Sequence, residues 1–192
     1  MISIARLLLF FVITMGYNAF FRNTVKMNRS LTWVFTFSVI TLVLYLGSLL
    51  GFMLQTVYAI SVLGCLLSLY YLWAVWKKKY RFRRLDYIAL GMMAYLLLFG
   101  ITLWHSPLLH YDNFTHWATI VKFFHINNAL PTQQDTIISY YTYPVGSSLF
   151  IYFFTTIVGF SEGSMLVGQF LVIASSLYAM FAPRRDDRRV LL

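Results

Sequence analysis

One carboxylate and one imidazole, in the longest polar stretch of the chain, have a spacing that suits acid–base chemistry. Asp112 and His116 lie four residues apart, so on an α-helix their side chains share one face. A carboxylate beside an imidazole can act as a base with an orienting partner, or can bind a divalent metal cation through oxygen and nitrogen. The pair therefore predicts a catalytic or metal site, to which His110 could add a third ligand.

Structural roles are the alternative for each of these residues. Aspartate is among the best helix N-caps, so Asp112 could begin a helix, and it could fill both roles at once. His116 could be a solvated polar residue on the surface of the same helix. His105 and His125 are expected to end helices, where His125 would suit the helix dipole.

The residues that follow Asp112 predict the helix on which the pair would lie. Apolar side chains recur at intervals of three or four residues, with one more alongside: Phe114, Trp117, Ala118, Val121 and Phe124. This periodicity predicts an amphipathic helix from about Asn113 to His125 that lies in the membrane interface, with its aromatic face toward lipid or protein. Lys122 lies on the polar side and is a weaker candidate for binding a phosphate.

A second candidate site follows a predicted turn at Pro131 and a predicted extended segment over residues 132–139. Tyr143 precedes a proline, and Ser147 and Ser148 would lie in the first turn of the next helix. Because N–H groups at a helix start can bind phosphate and tyrosine rings can stack on sugars, these three residues are predicted to bind substrate. The tyrosines could equally form the aromatic belt of a membrane protein: Tyr140, Tyr141 and Tyr143.

The rest of the chain has the composition of a membrane protein. Of its 192 residues, 60% are hydrophobic and only 11% are charged, which is less than half of the roughly 25% typical of soluble domains. The formal charge of +9 comes from basic residues grouped between apolar stretches, where they set membrane topology rather than bind nucleic acid. The single cysteine, Cys65, excludes an internal disulfide framework and a cysteine-based zinc site.

Four apolar stretches before the polar loop are long enough to cross a membrane, which takes about 20 residues. They are roughly Ile2–Phe21, Leu31–Met53, Leu54–Trp76 and Tyr87–Trp104. After the loop come Gly146–Phe160, which is short for a crossing, and Met165–Ala182. The sequence therefore predicts an all-α, polytopic transmembrane protein with about five to six membrane segments. Its three regions are four transmembrane helices over 1–104, a loop over 105–146, and residues 147–192 with a short or re-entrant helix, a last transmembrane helix and a basic tail.

Basic residues predict which side of the membrane each connection faces, since short loops rich in lysine and arginine stay in the cytoplasm. The first connection, 22–29, and the third, 77–84, are basic. This places the loop 105–146 outside the cytoplasmic membrane of the cell. A re-entrant Gly146–Phe160 would put the basic tail 184–189 inside as well, so that arrangement is favoured over two full crossings.

The order of these landmarks resembles the first extracytoplasmic loop of the GT-C superfamily, the multi-spanning glycosyltransferases that use polyisoprenyl-phosphate sugars. A span is followed by an acidic residue, an amphipathic helix, a turn with proline, Tyr-Pro-x-Gly-x-x-Leu-Phe at the start of a short apolar helix, and Phe-Ser-Glu-Gly before another span. Over about Tyr87–Ala182 the chain is similar to large GT-C-like membrane proteins of Gram-positive bacteria. Asp112 matches the acidic loop residue of the family, and His116-Trp117 and Tyr143-Pro144-Val145-Gly146 match its aromatic and proline landmarks.

This resemblance implies a glycosyltransferase module on the outer face of the membrane, with the lipid bilayer and a polyisoprenyl-phosphate sugar as partners. Asp112 would be the catalytic base or would help to hold a divalent cation, and His116 would offset the charge on the departing phosphate. Three spans here precede the span that the family usually has first, and family members continue through more crossings. The chain is therefore expected to be an N-terminal fragment, a truncated product or one part of a split protein, and to be inactive without the remaining part.

Two functions without catalysis stay open beside this one. A transporter or permease component should have ionisable residues inside its spans, whereas here Arg6 and Glu162 lie at the ends of apolar segments. A structural or assembly subunit would use the loop as a docking surface, and no residue pattern in the chain excludes it.

Overall fold

The structure is a computed structural model that describes residues 4–77, 87–135, 137–138 and 142–181. Eight helices lie in these residues: α1 (Ile4–Asn23), α2 (Arg29–Leu49), α3 (Met53–Trp76), α4 (Tyr87–Trp104), α5 (Tyr111–Thr115), α6 (Trp117–Asn127), α7 (Gly146–Val158) and α8 (Glu162–Ala179). The described residues contain no strand, so the prediction of an all-α protein is confirmed. The third basic connection, Tyr140 and Tyr141, and the basic tail lie outside the described residues.

Four of these helices, α1 to α4, are long and apolar enough to cross a membrane. Their bounds differ from the predicted spans by at most four residues at either end, which is within the usual uncertainty of helix termini. α8 has 18 residues, but polar side chains such as Gln169 make it less apolar than the other four. The architecture is that of a multi-pass helical membrane protein, as predicted.

The short helix α7 lies at the centre of the bundle, in contact with α1, α2, α6 and α8. Nine of its 13 residues are buried. Its phenylalanine rings pack on the long helices. The ring of Phe154 meets that of Phe10 in α1 edge-on, with 4.8 Å between centroids, and the rings of Phe150 and Phe37 in α2 have centroids 4.6 Å apart. A helix of this length extends only about 20 Å, which is too short for the roughly 30 Å hydrocarbon core of a bilayer.

The two ends of the segment between α4 and α8 lie together, so α8 begins at the end of the bundle where α4 finishes. Gly146, at the start of α7, lies beside Thr41 in the middle of α2. The first turn of α8 lies at the end of α4, because Gly163 packs directly on the backbone of Trp104. The carboxylate of Glu162 accepts a hydrogen bond of 2.8 Å from the backbone N–H of Leu108 just beyond α4. α8 therefore runs antiparallel to α4, and a re-entrant α7 stays a prediction.

The loop differs from its predicted secondary structure in two places. The helix predicted over Asn113–His125 is present but is divided in two, because His116 has φ −133° and ψ −109° and separates α5 from α6. The apolar face of α6 is buried in the protein and packs on α7. The extended segment predicted from Thr132 is wrong in its described part, since the Asp135 carboxylate accepts from the backbone N–H and the hydroxyl of Thr132 at 2.6 and 2.9 Å and closes a tight turn.

Glycine allows α1 and α3 to approach each other closely. A Cβ atom at Gly16 would overlap the carbonyl oxygen of Gly64, so neither position has room for a side chain. In lipid the hydrophobic effect does not hold helices together, so close van der Waals packing of this kind stabilises the pair instead. α4 differs from the other long helices, because it packs mainly on α8 and a Cβ at Gly91 would meet nothing within 4 Å.

Candidate functional site

The break between α5 and α6 brings His116 against Tyr143, two of the residues predicted from the sequence. Their rings meet edge to face with 4.3 Å between centroids. Tyr143 leaves 48% of its surface exposed. Because His116 is on the α5–α6 corner and Tyr143 is just before α7, residues 27 positions apart in the chain form one surface.

That surface opens into a groove of about 750 Å³ between α2 and the start of α7. One wall is the middle of α2, with polar groups from Ser38, Thr41 and Tyr45 among apolar side chains. The other wall is formed by Tyr143 and Ser147. The groove therefore combines a mostly hydrocarbon surface with a few hydroxyl groups on both walls, which is typical of sites for small or lipid-like ligands.

The first turn of α7 borders this groove and has free hydrogen-bond donors. Val145 is the N-cap and has no side chain that could accept a hydrogen bond. The first intrahelical bond comes from Leu149 N–H to Val145 O at 2.9 Å, so the N–H groups of Gly146, Ser147 and Ser148 have no carbonyl one turn earlier. Such a helix end favours an anionic group nearby.

The structure separates the two predicted serines. Ser147 is exposed and lines the groove. Ser148 is 2% exposed, and its hydroxyl donates to the carbonyl oxygen of Trp117 at 3.2 Å. Ser148 therefore fastens α7 to the start of α6 and does not face the groove.

Asp112 has a different neighbour from the one that its spacing predicted. Its Oδ2 lies 3.4 Å from Nδ1 of His110, with both side chains largely exposed. The same ring nitrogen accepts from the backbone N–H of Asp112 at 3.3 Å, so His110 is the N-cap of α5. The N-cap alternative for Asp112 is wrong, and its carboxylate lies in the first turn of α5.

Asp112 and His116, predicted to bind a metal ion, do not belong to a cluster of possible metal ligands among the described residues. The backbone N–H of His116 donates to the carbonyl oxygen of Asp112 at 3.0 Å, but the side chain of Asp112 meets His110 and that of His116 meets Tyr143. No group of three or more histidine, cysteine or acidic side chains in the described part of the chain could hold a metal ion. Lys122 is exposed on the outer face of α6, and a phosphate-binding role for it stays a prediction.

His125, expected only to end a helix, has the most constrained environment of the four histidines. Its Nε2 lies 2.8 Å from the hydroxyl of Thr155 in α7. Its ring packs against Tyr152 and Phe160, with centroids 4.9 and 4.7 Å away. Burial lowers the pKa of His125 from 6.5 to about 4, because desolvation penalises the protonated ring.

Stability should therefore fall on acidification, through His125. The His125 ring binds a proton near pH 6.5 in the unfolded chain and only near pH 4 in the folded chain. The contribution of neutral His125 to the free energy of unfolding is therefore fully present above pH 6.5 and is lost as the pH falls toward 4. We expect a loss of about 1–2 kcal/mol, since partial solvent access screens the full effect. Thermal unfolding between pH 4 and 7 measures it. His125→Gln should remove this component, His105→Gln should keep it, and equal pH profiles for the two variants would contradict it.

The polar surface of the loop thus has two parts. One is the groove with Tyr143 and Ser147, next to which His116 contacts Tyr143, and the other is the α6–α7 contact around His125. Comparisons with models of protein families, with curated proteins and with solved structures found no match to this chain.

Proposed function

We propose that this chain is a glycosyltransferase-like module of the cytoplasmic membrane that uses a polyisoprenyl-phosphate sugar on the outer face. The observation that supports it best is the groove, which lies between a mostly apolar wall in the middle of a membrane-spanning helix and the first turn of α7. An isoprenyl chain matches the apolar wall, and a phosphate matches the donors at the start of α7. His116 and Tyr143 lie where the sugar would follow.

The transfer step in this proposal needs one base and one stabiliser of the leaving group. An acceptor hydroxyl attacks the anomeric carbon, the bond from that carbon to the phosphate oxygen breaks, and Asp112 takes the hydroxyl proton. The phosphate leaves with the electron pair of that bond, and N–H groups of the first turn of α7 together with His116 offset its charge. Asp112 lies one turn before His116, and in this proposal both side chains serve one ligand.

The same proposal places the loop outside the cell membrane. The connection at 22–29 is basic and joins α1 to α2, which favours the cytoplasm for that end of the bundle. With α1 to α4 alternating in direction, α4 ends on the opposite side, where the loop with α5 begins. The re-entrant α7 returns α8 to the basic side, so the tail at 184–189 would also lie inside.

Closing the groove tests this function. Thr41→Trp places an indole in the space beside Gly146, and we expect binding of a polyisoprenyl phosphate to the chain in detergent micelles to fall at least about tenfold. Leu69→Trp is the matched control, because Leu69 is 63% exposed on α3 and does not line the groove. Equal affinities of the two variants and the wild type would remove the support for a lipid-phosphate donor.

A non-catalytic assembly subunit is the second candidate, and α4 favours it. Only 6% of this apolar helix is buried within the chain, against 22–39% for the other three, so α4 offers a large face to another helix. A docking role should tolerate isolated polar changes in the loop. Loss of function after Asp112→Asn would therefore favour the transferase, and unchanged function with loss of a co-purified membrane protein after α4 substitutions would favour the subunit.

A further inference from the structure

Four polar residues and one phenylalanine form a cluster apart from the groove, at the junction of α6 with the turn between α7 and α8. The His125 cluster, as we name it, consists of His125, Asn128, Tyr152, Thr155 and Phe160. None of the five lines the groove. His125 and Asn128 end α6, and Phe160 follows Gly159, whose φ of +119° turns the chain out of α7.

The hydrogen bonds of Thr155 favour one tautomer of His125. The hydroxyl of Thr155 has one proton, which it donates within α7 to Ile151 O at 2.8 Å, with Tyr152 O at 3.3 Å as a weaker second acceptor. With that bond made, the Thr155 oxygen accepts from His125, which favours the tautomer with the proton on Nε2 at the 2.8 Å contact. Nδ1 is left with a lone pair, and among the described residues it has no partner.

Tyr152 and Phe160 hold the ring of His125 in place, and Tyr152 also orients the side-chain amide of Asn128. Tyr152 and Phe160 contact the ring of His125 from two directions, with interplanar angles of 62° and 57°. The hydroxyl of Tyr152 donates to Oδ1 of Asn128 at 2.8 Å. Because that bond fixes which end of the amide accepts, Nδ2 of the exposed Asn128 is available as a donor three residues from His125.

The hydrogen-bonding groups of the cluster, and its lack of charge, suit a neutral ligand with hydroxyl groups. None of its five side chains has a charge while His125 stays neutral, and burial favours the neutral ring. An ionic ligand would find no counter-charge in the cluster, whereas a hydroxyl group can donate to Nδ1 and accept from Nδ2. Phe160 leaves 46% of its surface exposed beside them and supplies an apolar face for C–H groups.

We propose that the His125 cluster is a binding site for a neutral ligand with several hydroxyl groups, a sugar ring above all. One hydroxyl donates to Nδ1 of His125, another accepts from Nδ2 of Asn128, and the C–H face of the ring packs on Phe160. The site does not depend on the glycosyltransferase proposal, because it shares no residue with the groove and requires no lipid phosphate.

Two variants separate binding from a purely structural role of His125. His125→Gln keeps an amide donor where Nε2 donates to Thr155 but removes the Nδ1 acceptor. Thr155→Val keeps the shape of the side chain and removes the acceptor that favours this tautomer. His105→Gln is the matched control, since His105 is exposed and bonds its own helix at Ile101 O.

The experiment follows the ¹⁵N signals of the histidine rings of the full chain in micelles, with methyl glucoside as the probe and glycerol as the comparison. We expect His125 to have its proton on Nε2, and its Nδ1 signal to shift with methyl glucoside but not with glycerol. His125→Gln and Thr155→Val should each weaken the binding of methyl glucoside about three- to tenfold, and His105→Gln should leave it unchanged. A proton on Nδ1, no response to the sugar, or equal affinity of all variants would overturn the proposal.

Discussion

Asp112→Asn is expected to lower sugar transfer from a polyisoprenyl phosphate by about 10²- to 10⁴-fold, the usual contribution of a general base. The amide is isosteric with the carboxylate but cannot take the proton of the acceptor hydroxyl. Because Asp112 is largely exposed, the substitution should leave the fold and the affinity for the lipid donor unchanged. The loss should therefore appear in the rate of transfer and not in donor binding, which is the mark of a group that acts only in the transition state.

The measurement is transfer of a labelled sugar by membranes that contain the chain together with any segment it needs for activity. Asp135→Asn is the control, since Asp135 lies in the same loop but serves to close the turn at Thr132. An Asp112→Asn protein that transfers at the wild-type rate would exclude Asp112 as the base. Equal losses in the two variants would show that the loop needs its negative charge and not a base at Asp112.

Gly16→Leu should have the largest effect on stability. The new side chain would start at a Cβ that already overlaps the backbone of Gly64 and Ser68, where no rotamer can relieve the contact. α1 and α3 would have to separate, which would also break the hydrogen bond of 2.8 Å from the Tyr17 hydroxyl to Ile60 O. We expect a loss of about 3 kcal/mol or more, seen as a fall of about 6–12 °C in Tm.

Gly91→Leu is the matched control for this change. It puts the same side chain on a helix of similar composition, at a position where nothing lies within 4 Å. Its effect on Tm in micelles should be within about 2 °C. If both glycine variants unfold at the same temperature, close packing of α1 on α3 does not stabilise the bundle.

The long helices could be predicted from the sequence because their signal is local. A run of about 20 apolar residues specifies a membrane helix whatever it packs against, and Tyr87–Trp104 was predicted with the bounds that the structure has. The centre of the bundle has no such local signal. Gly146–Phe160 is equally apolar whether it crosses a bilayer or is buried among other helices. The arrangement depends on contacts of the α8 start with the end of α4, such as that of Gly163 with Trp104, which are not local in the sequence.

The site was predicted less well, since its geometry depends on contacts between distant residues. Spacing alone paired Asp112 with His116, but that relation holds only on a continuous helix, and the chain breaks at His116. The contact between His116 and Tyr143 depends on how the loop folds back on α7, which no local pattern encodes. His125 was missed as a constrained residue because its partners, Thr155 and Phe160, are 30 and 35 positions away; an apolar stripe on α6 next to an apolar α7 was the one available signal.

The proposed function is tested most directly by finding where a lipid donor binds. A photoreactive polyisoprenyl phosphate, with its reactive group near the phosphate, would be activated on the full chain in a bilayer, and the modified peptides identified by mass spectrometry. We predict labelling of α2 around Thr41 and of the start of α7 around Ser147, which the unlabelled phosphate competes away and Thr41→Trp abolishes. Labelling spread over the lipid-facing surfaces of α3 and α4, unaffected by competition or by Thr41→Trp, would contradict a donor site in the groove.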